Sequence, residues 1–197
     1  VSSMAGAKIE VDKLGIDVCL AGVQKAFALP PGLAVVAVSE KALQKAEQVK
    51  DRGYYFDFLV FKRYLDDRRQ TPTTPAIPHL YALNKQMDDI LDEGLENRFA
   101  RHKEMADRVR GWAKRNFALF AQQGYESDTV TAIKNTKGIS VVGLNEELGK
   151  RGAMISNGYG PLKEKTFRIA HMGDLKPADI EELLGWIDEI VAAQVRA

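Results

Sequence analysis

The sequence predicts an α/β fold on three observations. Apolar runs of strand length lie at 16–22 and 33–38, residues 129–134 alternate like a strand, and 167–170 reads as a further strand. Helical spacings of apolar residues follow them, clearest from Leu80 and from Ile180, and dense turn chemistry separates the two kinds of segment. The chain has 197 residues, enough to bury one or two cores. Its 28 Lys and Arg against 27 Asp and Glu leave a net charge of +1, and 45% of its residues are hydrophobic. That balance excludes a disordered or collagenous chain. It also argues against a protein built to neutralise nucleic-acid phosphates, which needs a basic excess.

Residues 16–22 and 33–38 read as buried strands. Between them Pro30-Pro31-Gly32 enforces a turn, because proline fixes φ and glycine relaxes it. Ser39 reads as an N-cap for a short helix with Ala42, Leu43, Ala46 and Val49 on its apolar stripe. Residues 54–64 hold six aromatic residues without a period and predict an aromatic satellite cluster of unassigned structure. Three prolines between Thr71 and Pro78 forbid a regular helix or central strand there. A helical pattern starts after Pro78 with Leu80, Leu83, Met87, Ile90 and Leu91, and resumes through Met105, Val109 and Trp112; Gly94 is the expected bend. A strand at 129–134, a short helix at 144–151, and strands at Met154-Ile155 and 167–170 come next. Pro177 opens a last helix whose core stripe runs from Ile180 to Val191.

Cys19 is the single cysteine, so no intrachain disulfide and no Cys-rich zinc site is available, and its apolar setting predicts a buried thiol. The three histidines are far apart and none makes a His-Glu-x-x-His spacing, so no metal site is expected. No apolar run is long enough to span a bilayer and no signal peptide is visible, so a cytoplasmic protein without nucleic-acid or membrane partners is expected. His102 reads as a helix-surface or interface residue. His171, just after the strand at 167–170, is weighed as a residue lining a site. The helix at 101–115 mixes basic residues with Glu104 and Asp107 and reads as a solvated face.

Two residues invite chemistry. Lys25 stands between an apolar strand and the rigid Pro-Pro-Gly turn, so ordered backbone aims it. An amine in an apolar setting sheds its proton more readily, and the neutral form attacks a carbonyl to give a Schiff base. Arg168 lies among Phe167, Ile169 and Ala170, and its forked guanidinium suits a carboxylate. From residue types alone, a solvated lysine and a solvent-facing arginine are the simpler readings.

Taken in order, these segments resemble the class V, fold-type I aminotransferases that use pyridoxal 5'-phosphate, above all the serine–glyoxylate and alanine–glyoxylate group. Gly15-Ile16-Asp17 with Gln24-Lys25-Ala26 and Pro30-Pro31-Gly32 resembles the cofactor-lysine segment. Thr74-Pro75 before Leu80-Tyr81-Ala82-Leu83 resembles the phosphate-contacting threonine loop. Gly158-Tyr159-Gly160-Pro161 with Phe167-Arg168-Ile169 and Gly173 resembles the substrate-arginine segment. The resemblance implies that Lys25 carries the cofactor as a Schiff base and shuttles a proton, and that Gln24 lies near the cofactor phosphate. It implies further that Thr74 reaches the cofactor phosphate of a neighbouring subunit, making the active unit a homodimer, and that Arg168 clamps the substrate carboxylate. The reaction implied moves the amino group of a small amino acid, serine or alanine, to glyoxylate or pyruvate.

Two positions depart from the family pattern. Val23 stands where the family often has Ser or Thr, and Thr71 where relatives often carry Tyr; both weaken the expected phosphate grip. Val1-Ser2-Ser3-Met4-Ala5-Gly6 resembles the run just after the family's Asp that pairs with the pyridine nitrogen. The resemblance therefore implies the C-terminal portion of a longer enzyme: residues 1–95 as the end of the large cofactor domain with its linking helix, and 96–197 as the small α/β domain. These residues by themselves are expected to show little transaminase activity until complemented by an N-terminal half. The alternatives are another class V chemistry (phosphoserine or phosphonate transamination, or desulfuration) or a non-catalytic folded remnant serving as an interaction module.

Overall fold

The computed structural model describes residues 1–196. They form two units, Val1–Met4 with Lys8–Asp92, and Ala5–Ala7 with the chain from Glu93 on.

In the first unit, β1 (Val18–Gly22) pairs antiparallel with β2 (Ala34–Val38), with Val18 opposite Val38 and Gly22 opposite Ala34. Ser39 caps α1 (Glu40–Glu47): its Oγ accepts from the Ala42 amide at 3.1 Å and donates to Asp17 Oδ1 at 2.8 Å, tying the helix start to the entry of β1. Residues 58–68, whose structure the sequence leaves unassigned, form α2 (Phe58–Arg68). Asp57 explains the helix: it accepts from the Leu59 amide at 3.0 Å and pairs with Arg52 at 3.1 Å. Tyr54, Tyr55 and Phe56 are exposed; only the edge-on Tyr55–Phe56 pair, 5.0 Å between centroids, represents the expected cluster. The stretch from Thr71 to Ala76 is irregular, and α3 (Ile77–Glu93) places Pro78 in its first turn, where no amide is missed. Cys19 on β1 is free and half-buried, not the fully buried thiol expected.

Gly94, with φ +81°, separates α3 from α4 (Leu95–Asn116). The second unit carries a four-stranded antiparallel sheet of β3 (Ala118–Leu119), β4 (Val130–Lys134), β5 (Ser156–Asn157) and β6 (Thr166–Ala170), in the order β3-β4-β6-β5. β3 is absent from the sequence reading, and the strand expected at Met154-Ile155 sits at Ser156–Asn157 instead. Two-residue strands are defined by their pairing and carry no period of their own. α5 (Val141–Lys150) and α6 (Pro177–Arg196) complete the unit. Its core joins Met105, Val109 and Trp112 of α4, Ile133, Phe167 and Ile169 of the sheet, and Ile180, Leu184 and Ile187 of α6.

Two polar side chains of α4, Arg98 and His102, are buried, and Arg101 beside them is partly buried; His102 and Arg101 fall where the sequence reads a surface. Arg98 is 2% exposed; its guanidinium pairs with Glu93 at 2.8 Å and Asp174 at 3.1 Å and donates to the Ala5 carbonyl at 2.9 Å. Arg101 joins Glu93 at 2.6 Å. His102 is fully buried, not a surface residue: the Gly173 amide donates to Nε2 at 3.0 Å, so Nδ1 carries the proton and donates to the Arg98 carbonyl at 2.8 Å. Ion pairing and tautomer choice make that burial tolerable.

Candidate active site

Lys25 lies in a tight turn that begins as β1 ends. The turn is closed by the Leu29 amide on the Val23 carbonyl at 3.0 Å and the Ala28 amide on the Lys25 carbonyl at 2.8 Å. Val23, Ala26 and Phe27 are buried and pin this turn, while the Lys25 side chain is half-buried between them. The Lys25 amine has no hydrogen bond or ion pair among the described residues. Gln24 is exposed, and its amide folds over Gly22 so closely that a Cβ there would lie 2.5 Å from Oε1. The Val23 side chain belongs to the core, which removes it from phosphate contact.

Thr74 is exposed in the irregular stretch before α3. Thr71 is also exposed, and its hydroxyl donates to the Thr73 carbonyl of the same loop at 2.5 Å. His79, two residues into α3, meets the Pro31 carbonyl at 3.1 Å, so the end of the threonine loop is tied to the turn that follows Lys25. Lys25, Gln24 and Thr74 thus belong to one unit and to connected loops of it.

Arg168 belongs to the second unit. On β6 its register partners are Ala132 on one side and Ser156 on the other, both small. Alternation sends Phe167 and Ile169 into the core and leaves Arg168 on the opposite face. The guanidinium sits over the Tyr159 ring, 4.2 Å from its centroid, and Nη2 donates to the Asn157 carbonyl at 3.5 Å. Its Nε is buried without a partner. A buried guanidinium nitrogen left unsatisfied is costly and suits a site that receives an anion.

His171 does not line this face. It follows β6 with the parity of Ile169, is fully buried, and bonds Thr131 Oγ1 at 2.8 Å through Nε2. Burial pushes its pKa down to about 4, so the ring is neutral near neutral pH. Tyr159 and Asn157, which flank Arg168, carry no individual signal in the sequence. The only signal for them was their place in the glycine-bearing loop before the arginine strand.

Residues 1–166 match the family model for class-V aminotransferases. The chain belongs to this family. The class-V chain is 42% identical over 176 residues to an uncharacterized aminotransferase of Methanocaldococcus jannaschii, covering 88% of this chain and 46% of that one. It is 31% identical over 196 residues to a serine–glyoxylate aminotransferase of Arabidopsis thaliana, covering 97% and 48%. Among solved structures, a pyridoxamine–pyruvate aminotransferase of Mesorhizobium loti superposes with a TM-score of 0.90 at 26% identity, covering all of this chain and 52% of that one. The fold is therefore that of fold-type I aminotransferases, and the chain spans about half the length of the relatives it matches. Among the described residues, no helix is long and apolar enough to cross a membrane.

The residues present fit pyridoxal phosphate. An aldehyde cofactor needs an unpaired amine, and the Lys25 amine is one; an amino-acid substrate needs a cation for its carboxylate, and the Arg168 fork has an unsatisfied buried nitrogen.

Proposed function

We propose that the polypeptide to which this chain belongs is a pyridoxal-phosphate-dependent aminotransferase that moves the amino group of a small amino acid, serine or alanine, to glyoxylate or pyruvate. The observation that carries the reading is the unpaired, half-buried amine of Lys25 in a class-V chain. The serine–glyoxylate and pyridoxamine–pyruvate names of relatives support these substrates. When bound, the cofactor supplies an aldehyde and an electron sink. This chain's residues supply the rest. Lys25 Nζ holds the cofactor and carries the proton taken from the substrate Cα. Gln24 and Thr74 offer hydrogen bonds to the phosphate. Arg168 holds the substrate by its carboxylate, for which its forked guanidinium is suited. In this reading Thr74 serves the cofactor of a second copy, so the enzyme works as a homodimer.

Borohydride reduction of the enzyme of full family length mixed with pyridoxal phosphate, followed by peptide mapping, is expected to place the cofactor on Lys25. Label spread evenly over the surface lysines, or a visible absorbance that survives Lys25→Ala, removes Lys25 from the role. In the enzyme of full family length, Arg168→Ala is expected to raise KM for amino acid and oxo acid about a hundredfold, as loss of a charge-assisted pair does, with cofactor affinity little changed.

A further inference from the structure

We infer that Tyr159 is a positioning residue for Arg168: its ring is the platform that fixes the guanidinium so that the edge of the fork meets a monocarboxylate substrate. The inference rests on the reading of Arg168 as the carboxylate clamp. A guanidinium makes its hydrogen bonds in its own plane, so a π-face at 4.2 Å holds the cation without consuming a single N–H. Nothing else around Arg168 does this. Its register neighbours Ala132 and Ser156 are small, and its bond to the Asn157 carbonyl is long at 3.5 Å. Four of the five donors remain for a ligand or for solvent, and one of them, Nε, is buried with no partner.

The platform itself is held by its loop. Gly158 is buried, and a Cβ there would lie 2.1 Å from the Leu162 carbonyl oxygen, so the backbone passes closely under the turn at Gly160–Leu162. The Asn157 side chain latches the two ends of the loop: Oδ1 accepts from the Gly158 amide at 2.7 Å and the Glu164 amide at 2.9 Å, while Nδ2 donates to the Glu164 carboxylate. The other oxygen of that carboxylate accepts from the Val141 amide at 2.7 Å, anchoring the latch to the start of α5. Tyr159 is nonetheless 75% exposed, so its ring adds little to the core and can be removed without unfolding the unit.

The test uses two readouts. In the loaded enzyme of full family length, Tyr159→Ala is expected to raise KM for both the amino acid and the oxo acid about 3- to 30-fold with kcat within about twofold, the size of a partly desolvated cation–π contact, and Tyr159→Phe is expected to restore KM. In the 197-residue chain labelled with ¹⁵N-arginine, the Arg168 Nε–H resonance is expected to shift saturably with pyruvate, with affinity reduced by the same factor in Tyr159→Ala. If Arg168→Ala raises KM while Tyr159→Ala leaves it unchanged, or if the phenylalanine does not restore it, the platform is overturned and the clamp stands. If Arg168→Ala itself leaves KM unchanged, the clamp falls and the platform with it.

Discussion

Arg168 and His171 are three residues apart in sequence, yet strand parity sends one to the open face and the other into the core. The two buried histidines make the second unit sensitive to acid. In the unfolded chain His171 titrates near 6.5, whereas burial holds it at about 4 in the fold; His102 is lowered in the same direction, again chiefly by burial. Between these values the unfolded state binds protons that the folded state refuses. The part of the stability that His171 links to pH is therefore fully present above about pH 6.5 and falls as pH drops toward 4, by up to about 1.4 kcal/mol per pH unit, and His102 adds to the loss in the same direction. Urea unfolding between pH 4 and 7 should show this slope, and His171→Asn should flatten part of it; a slope unchanged by the substitution rules His171 out as its source. Glu93 acts lower still. Hydrogen bonds from Arg101 above all, and from Arg98, hold its carboxyl at about 2, so its contribution is lost only as pH falls from about 4.5 to 2.

At the scale of elements, the same substitution is expected to have opposite signs at two glycines. A Cβ at Gly158 would overlap the Leu162 carbonyl, and backbone cannot step aside cheaply, so Gly158→Ala should destabilise by about 2 kcal/mol or more. Gly185 lies inside α6 with open space around its missing Cβ, so Gly185→Ala should stabilise by about 0.5–1 kcal/mol through helix propensity alone. Urea midpoints of the two variants check both signs. Helix signals were legible in the sequence where they were local. Ser39 announces α1 and Pro177 announces α6. Asp57 caps α2 in the same way, but the irregular aromatic run around it hid a helix that buries no residue at all and so shows no stripe.

For the whole chain, the two units differ in how much they bury. Among the described residues α1 and α2 bury no side chain, and the sheet of the first unit is a two-stranded pair, which is marginal by itself in water. The second unit holds the contiguous apolar core. Amide exchange should follow: slow in β4, β6, α4 and the middle of α6, and faster in β1, β2, α1 and α2. Equal protection throughout would mean that the chain unfolds as one cooperative block.

The sequence alone determined the features that rest on short-range physics. These are the capped helices, the bend at Gly94, the proline-stiffened stretch before α3, the turn that carries Lys25 and the alternating strand that carries Arg168; caps, φ preferences and periodicity all act over a few residues. Only the tertiary structure decided which polar groups are buried and what faces them. Arg98 finds Asp174 and the Ala5 carbonyl, His102 finds the Gly173 amide, and Arg168 finds the ring of Tyr159. Those partners are distant along the chain or lie across a loop, so nothing local marks them, and desolvation takes effect only once the chain has closed around them.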